Sequence, residues 1–166
     1  MKLVFGYECY PGHDVFHFLR EASSRPMKGF HGFGQGDVVN ALLVKKTVTL
    51  GMVDEDPRST HHPLRDAMKV VRTIEDFELR ESQSRYLAVL KPELEEAFIR
   101  ASKLLGVDTS LPKDPSSLRR SLLRPNSSSH DTFVQVLRQL HSAAKARRQA
   151  IFLTELVAMI EKVPNT

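Results

Sequence analysis

The chain has 166 residues, of which 41% are hydrophobic and 27% are charged, and its formal net charge is +4. That length allows one compact domain with a sizeable core, and the modest positive charge permits a polyanionic partner without requiring one. The single Cys9 excludes an intrachain disulfide, and no repeated Cys/His spacing predicts a zinc framework, so we expect a reducing, cytoplasmic setting.

The N-terminal residues predict a strand over about 2–8 and not a targeting segment, because the chain reaches Glu8 before a signal-peptide-length apolar run can form. An amphipathic helix follows over about 13–23, with apolar side chains spaced to face a core. A short helix over about 36–44 precedes a strongly apolar strand over about 46–53. No stretch approaches the roughly 20 apolar residues that span a bilayer, so no membrane segment is expected.

The next elements predict more sheet and then a helix. Residues 70–80 and 85–91 predict two strands, and the polar residues between them favour a hairpin or a pair of edge strands. A helix over about 92–105 has acids in its first turn, which suit the positive end of the helix dipole, and Gly106 is expected to end it. Alternating strands and helices of this kind place the chain in the α/β class.

The character of the chain changes after Gly106. Prolines and serine clusters punctuate short helices, and longer helices are predicted over about 130–143 and 146–162. We therefore expect a single compact domain made of a core, residues 1–106, and a helical C-terminal extension, residues 107–166, packed on that core.

Acidic residues stand where two predicted strands give way to loops. Glu8 follows the first strand, and Asp54 and Asp56 follow the second, projecting to one face if the strand geometry persists. The carboxyl ends of strands in an open α/β sheet form the ligand crevice, so acids distant in sequence can converge there. Hard carboxylate oxygens suit Mg²⁺, which needs only one or two of them plus substrate phosphates. The alternative is that residues 54–57 form a solvated turn.

The order of these features resembles the TOPRIM domain, the metal-binding fold of topoisomerases, primases and nucleases of the overcoming-lysogenization-defect type. The shared features are Glu8 at the end of the first strand, the glycine-rich segment 31–38, and the Asp-x-Asp of residues 54–56, and they extend over roughly residues 1–100. The chain is also similar to the small stand-alone TOPRIM-like proteins of prokaryotes. The resemblance implies a mostly parallel central sheet flanked by helices.

The resemblance further implies phosphoryl transfer that depends on Mg²⁺ or Mn²⁺, and most directly a nuclease that cleaves nucleic-acid phosphodiesters. Glu8 would act near the attacking water or as a metal ligand, and Asp54 and Asp56 would be metal ligands. Glu95 would supply a further metal position and Lys91 a charge that neutralises the leaving oxygen, although Glu95 also suits a helix N-terminus. An antiviral or genome-maintenance setting in a prokaryote is implied as well.

The glycine-rich segment supplies a further candidate. His31 could donate to a phosphate or act as acid or base near neutral pH, and an exposed loop histidine is the alternative. Gly32, Gly34 and Gly36 precede a predicted helix and could cradle a phosphate. A tight structural turn near the metal site is the alternative for these glycines.

A basic stretch lies in the C-terminal extension. Residues 113–150 hold eight Lys or Arg against two acids. We expect Arg119, Arg120, Arg147 and Arg148 to contact the phosphate backbone of a nucleic acid. A solvated helical face is the alternative.

A non-enzymatic function competes with the nuclease. In it, the chain is a catalytically inactive TOPRIM-like interaction module that docks on a larger partner of the ATPase type. The chain contains no ATPase domain of its own, so a partner protein in trans fits either function. A topoisomerase needs a nucleophilic tyrosine in a separate domain, whereas Tyr7, Tyr10 and Tyr86 all lie inside the predicted core.

Overall fold

The computed structural model describes residues 2–55 and 63–164. The strands are β1 (Leu3–Tyr7), β2 (Met27–His31), β3 (Leu50–Asp54), β4 (Lys69–Ile74), β5 (Phe77–Ser82) and β6 (Arg85–Leu90). The helices are α1 (Tyr10–Ala22), α2 (Gln35–Leu43), α3 (Pro63–Asp66), α4 (Leu94–Leu105), α5 (Pro115–Leu122), α6 (Ser129–Arg147) and α7 (Phe152–Lys162). Within these described ranges, no helix has the length and apolar character needed to cross a membrane.

The strands form one mixed sheet with the order β2-β1-β3-β6-β5-β4. The four strands β2, β1, β3 and β6 run parallel, and β5 and β4 add an antiparallel edge. The predicted α/β class, with a mostly parallel central sheet flanked by helices, is confirmed. The strand order changes direction between β1 and β3, which makes their carboxyl ends the expected position of a ligand crevice.

Helices cover both faces of this sheet. On one face, fully buried Phe5 of β1 belongs to the same apolar cluster as Leu118, Phe133 and Phe152 from α5, α6 and α7. The C-terminal helices therefore share a core with the first strand. On the other face a smaller cluster is built around α2.

Two glycines allow α2 to lie close to the sheet. A Cβ atom on Gly51 would stand 2.8 Å from Cγ1 of Val38 in α2, and one on Gly6 would stand 3.3 Å from the same atom. Real Cβ atoms essentially never approach another atom within 3.0 Å, so a larger residue at position 51 would force Val38 of α2 to shift. Because glycines occupy these two positions, α2 can pack closely on β1 and β3.

Some elements differ from the sequence prediction. Strand β2 was not predicted, because Pro26 and Gly29 interrupt its apolar pattern and most of its residues are exposed. The single strand predicted over 70–80 is wrong, since a turn splits it into β4 and β5. The predicted hairpin that follows is confirmed as β5 and β6, joined through Gln83 and Ser84 at φ angles of 51° and 61°.

Helix boundaries differ for local reasons. Residues 46–48 precede the sheet: the carbonyl of Ala41 accepts the Thr47 N–H at 2.9 Å, which ties this segment to the end of α2. Thr49 is the first residue to bond to the neighbouring strands, because its N–H donates to the carbonyl of Val4 at 2.9 Å. Helix α6 runs to Arg147 and ends because Arg148 adopts a φ of 51°, so the predicted start of the last helix at 146 is wrong. Gly106 ends α4 in the left-handed conformation, as expected.

A buried ion pair joins α1 to α6. Asp14 is 5% exposed, and its Oδ2 lies 2.5 Å from Nδ1 of His130. The other ring nitrogen of His130 lies 2.7 Å from the carbonyl oxygen of Arg124. Burial alone would lower the pKa of His130, but the hydrogen bonds to Asp14 and to the Arg124 carbonyl raise it above its ordinary value. Burial raises the pKa of Asp14 to about 6.

This pair predicts a pH-dependent stability. Both pKa values are raised by folding, so the folded chain binds more protons than the unfolded chain, and the stabilisation is lost as the pH rises through the folded values. We expect Asp14 to lower the free energy of unfolding as the pH rises from 3.8 to about 6, and His130 to produce a further fall as the pH rises above its ordinary value of 6.5. In His130→Gln this fall should be smaller, as measured by urea unfolding at a series of pH values. If the free energy of unfolding depends on pH equally in the wild-type chain and in His130→Gln, His130 is not the source of this fall.

Candidate functional site

Glu8 and Asp54 meet at the carboxyl ends of β1 and β3. These two strands are parallel neighbours, and Oε1 of Glu8 accepts a hydrogen bond from the backbone N–H of Asp54 at 2.8 Å. The expectation that the two acids share one edge of the sheet is confirmed. Because β1 leads into α1 and β6 leads into α4, both helices begin at this edge, at the point where the strand order changes direction.

Asp54 connects β3 to the first turn of α4. Its Oδ1 accepts the backbone N–H of Leu94 at 2.9 Å. The N-cap residue Glu93 makes no capping hydrogen bond with its own side chain, so Asp54 performs that role from a neighbouring strand. The start of α4 is thereby held against the end of β3.

Glu95 brings a third carboxylate to this edge. It lies in the first turn of α4, is 2% exposed, and its Oε2 accepts no hydrogen bond from any described residue. Burying a carboxylate oxygen without a partner is costly unless a cation or a proton compensates it. Glu95 is therefore the residue at this site that most requires a partner beyond the described residues.

The three acids act on one another electrostatically. Burial raises the pKa of Asp54 well above its ordinary value, and the charges of Glu95 and Glu8 raise it further. Burial also raises the pKa of Glu95, and the negative charges of Glu93 and Glu8 raise it further. The site therefore favours either a bound proton or a bound cation, because its acids outweigh the positive charge close to them.

Arg119 borders the three acids. Its Nη1 donates to Oε2 of Glu93 at 3.1 Å. Burial would lower the pKa of Arg119, but Glu95, Glu93 and Asp54 together raise it above its ordinary value. Arg119 was expected only as a backbone contact for nucleic acid, and its position beside the acids follows from how α5 packs on α4, which the sequence does not reveal.

Cys9 lies beside the acids as the N-cap of α1. Burial raises the pKa of its thiol, and the negative charge of Asp54 raises it further. Cys9 is therefore a neutral thiol near physiological pH. It has neither the thiolate of a nucleophile nor that of a soft metal ligand.

A hydrogen-bonded chain supports Asp54 from the α2 face of the sheet. Nε2 of Gln35 donates to the carbonyl oxygen of Asp54 at 2.8 Å, and Nη1 of Arg65 donates to Oε1 of Gln35 at 2.9 Å. Arg65 is completely buried, and its Nη2 lies 3.8 Å from Oε1 of Glu55. Neither Gln35 nor Arg65 was found from the sequence, since no local pattern marks them.

Two predicted catalytic residues contact side chains other than the acids of the site. Nζ of Lys91 lies 2.8 Å from Oε2 of Glu78, so Lys91 forms an ion pair with a residue of the antiparallel strand β5. His31, at the end of β2, stacks on the ring of Tyr7 with 5.2 Å between ring centroids. Asp56, the second aspartate of the predicted metal pair, lies outside the described residues.

The four arginines predicted to contact nucleic acid divide into two pairs. Arg119 and Arg120 lie on α5, where Arg119 reaches the acids. Arg147 and Arg148 lie at the end of α6, and at 1.5 Å per residue Arg147 is about 25 Å along that helix from its first turn. Arg119 therefore adjoins the acids, whereas no contact among the described residues places Arg120, Arg147 or Arg148 beside them.

The donor set fits a hard divalent cation in part. Among residues 2–55 and 63–164, no group of three or more His, Cys, Asp or Glu side chains is arranged to hold a metal ion by itself. Mg²⁺ does not require such a group, because it keeps several waters and binds through one or two carboxylates plus substrate phosphates. The unpartnered oxygen of Glu95 beside Asp54 meets that lower requirement.

Comparison with known proteins adds no relative. No protein-family model, curated protein or solved structure matches the chain.

Proposed function

We propose that this chain is a TOPRIM-like nuclease that uses Mg²⁺ or Mn²⁺ to cleave nucleic-acid phosphodiesters. The observation that carries the proposal is the buried Glu95 carboxylate, whose Oε2 has no partner among the described residues, next to Asp54 and Glu8 at the strand-order reversal. Burial and neighbouring negative charge raise the pKa of Asp54 and of Glu95 at a ligand crevice, which is a costly arrangement that a divalent cation would stabilise.

Asp54 and Glu95 would hold the cation. Asp54 presents a carboxylate that is already anchored by Leu94, and Glu95 adds the unpartnered oxygen. When bound, Mg²⁺ would stabilise negative charge on the phosphoryl oxygens and orient the substrate. Asp56 follows in the sequence as a further carboxylate.

The other residues would bind substrate and move protons. Glu8 is oriented by the N–H of Asp54 and would accept a proton from the attacking water at a carboxylate oxygen. Arg119, held by Glu93 at the rim, would bind a phosphate group of the substrate. Cys9 would stay a neutral thiol and take no part.

A metal-dependent thermal shift tests the site. With Mg²⁺ or Mn²⁺ at roughly 100 times Kd, the melting temperature should rise by about 5–10 °C, because a ligand that binds only the folded chain stabilises it. Asp54→Asn combined with Glu95→Gln should remove this shift, as measured by calorimetry with and without metal.

The matched control is Glu96→Gln. Glu96 follows Glu95 in α4 but pairs with Arg100 at 3.8 Å on the helix surface, so its loss should leave the metal-dependent shift intact. An equal shift in the double variant would place the ion elsewhere and contradict the proposal.

The interaction module remains the second candidate. Lys91 pairs with Glu78, so the residue expected to neutralise a leaving oxygen is engaged with another acid. An inactive module of this kind could still bind metal while docking on an ATPase-type partner. Cleavage of nucleic acid in the presence of metal separates the two functions.

A further inference from the structure

Phe33 is the most exposed large apolar side chain among the described residues. Its relative exposure is 101%, against 57% for Val44 and 56% for Leu104. An aromatic ring left in water forgoes about 2–3 kcal/mol that burial would provide. Among the described residues, nothing covers this ring, so it is available to a binding partner.

The backbone on both sides of Phe33 is fixed to the candidate site. The N–H of Gly32 donates to the carbonyl of Tyr7 at 2.8 Å, and the side chain of Gln35 donates to the carbonyl of Asp54 at 2.8 Å. The N–H of Phe33 itself donates to Oδ2 of Asp37 at 3.0 Å. Phe33 is therefore presented between attachments to the carboxyl ends of β1 and β3, the strands that carry Glu8 and Asp54.

Other aromatic rings are exposed at the same edge. His31 stacks on Tyr7, and Tyr10 lies edge-on to His31 with ring centroids 5.9 Å apart. Tyr10 is 40% exposed, and His31 is exposed as well. From β2 to β6 the edge thus carries aromatic rings, then the acids, then Arg119. Three inter-strand spacings separate β2 from β6, so the distance across these strands is about 14 Å.

We propose that Phe33, with His31 and Tyr10, binds the unpaired bases of a single-stranded nucleic acid. This inference rests on the proposed function, because it places the phosphates of the same strand over Glu8, Asp54 and Glu95. Unpaired bases expose their faces and stack on aromatic side chains, whereas a duplex keeps those faces inside its own stack. The aromatic edge therefore selects single strands over duplex.

Binding of labelled oligonucleotides tests this selection. Short single-stranded DNA and RNA, and the matching duplexes, are titrated with the whole chain in Ca²⁺, and Kd is read from fluorescence anisotropy. The wild-type chain should bind single strands more tightly than duplex. Phe33→Ala should weaken single-strand binding about 5- to 150-fold, as expected for the loss of one stacked base, and leave duplex binding unchanged.

Two control variants sharpen the result. Phe33→Trp should retain single-strand binding, because it keeps an aromatic face, whereas Phe33→Leu should lose it. Leu104→Ala removes another exposed apolar side chain, on α4, and should have no effect. The side chain of Phe33 is fully exposed, so these changes should leave the melting temperature unaltered.

The outcomes separate this inference from the proposed function. Unchanged single-strand binding in Phe33→Ala, or an equal loss for single strands and duplex, would overturn the stacking role. The metal-dependent shift and its dependence on Asp54 and Glu95 would then stand by themselves. No binding of either nucleic acid would overturn the inference and count against the nuclease as well.

Discussion

Glu8→Gln should lower the rate of phosphodiester cleavage about 100- to 10,000-fold, the usual contribution of a general base. The replacement keeps an oxygen that can accept the N–H of Asp54, a bond of 2.8 Å in the wild-type chain, so the fold should survive. What is lost is the negative charge that would take a proton from the attacking water. The measurement is cleavage of end-labelled DNA and RNA in Mn²⁺ or Mg²⁺, with urea unfolding to confirm the fold.

Glu96→Gln serves as the control for this assay, because it removes one acid from the same region without touching the site. A full rate in Glu8→Gln would remove Glu8 from the mechanism. If the wild-type chain cleaves neither DNA nor RNA with either metal, even with its native partner present, the interaction module is favoured.

Arg65→Ala should lower the free energy of unfolding by about 3–5 kcal/mol. The change leaves a cavity where a completely buried side chain stood and removes the donor to Oε1 of Gln35. Arg65→Met fills most of the space and should cost about 1–3 kcal/mol, since only hydrogen-bond partners are lost. The difference in the free energy of unfolding between Arg65→Ala and Arg65→Met, measured by urea unfolding, separates the contribution of packing from that of hydrogen bonding.

A surface arginine provides the comparison. Arg138 forms a two-bond pair with Glu21, and both side chains are about half exposed, so Arg138→Ala should cost no more than about 1 kcal/mol. If Arg65→Ala lowers the free energy of unfolding by no more than Arg138→Ala does, the hydrogen bonds that connect Arg65 through Gln35 to Asp54 have no structural role.

The strands that carry Glu8 and Asp54 could be predicted because their apolar residues are consecutive and nearly all buried. Glu8 directly follows β1 and Asp54 ends β3, and the rule that parallel strands present their carboxyl ends together brings the two acids to one edge. The helix that carries Glu95 was also predictable, since first-turn acids and Gly106 mark its two ends.

The side chains that contact these acids could not be predicted, because tertiary packing determines which residues come together. Arg119 reaches the acids only because α5 docks on α4, and Gln35 supports Asp54 only because α2 packs closely on Gly51. Lys91 was expected near the metal, but the register of β5 on β6 places Glu78 beside it. Side-chain pairing across strands depends on registers that a single sequence does not specify.

The central claim is that Asp54 and Glu95 hold a divalent cation at the carboxyl ends of β1 and β3. Anomalous diffraction from crystals grown with Mn²⁺ tests it most directly, because the signal locates the ion itself. We expect a peak coordinated by carboxylate oxygens of Asp54 and Glu95 that disappears when Asp54→Asn and Glu95→Gln are combined. A Mn²⁺ peak elsewhere on the chain, with none beside these two carboxylates, would contradict the claim.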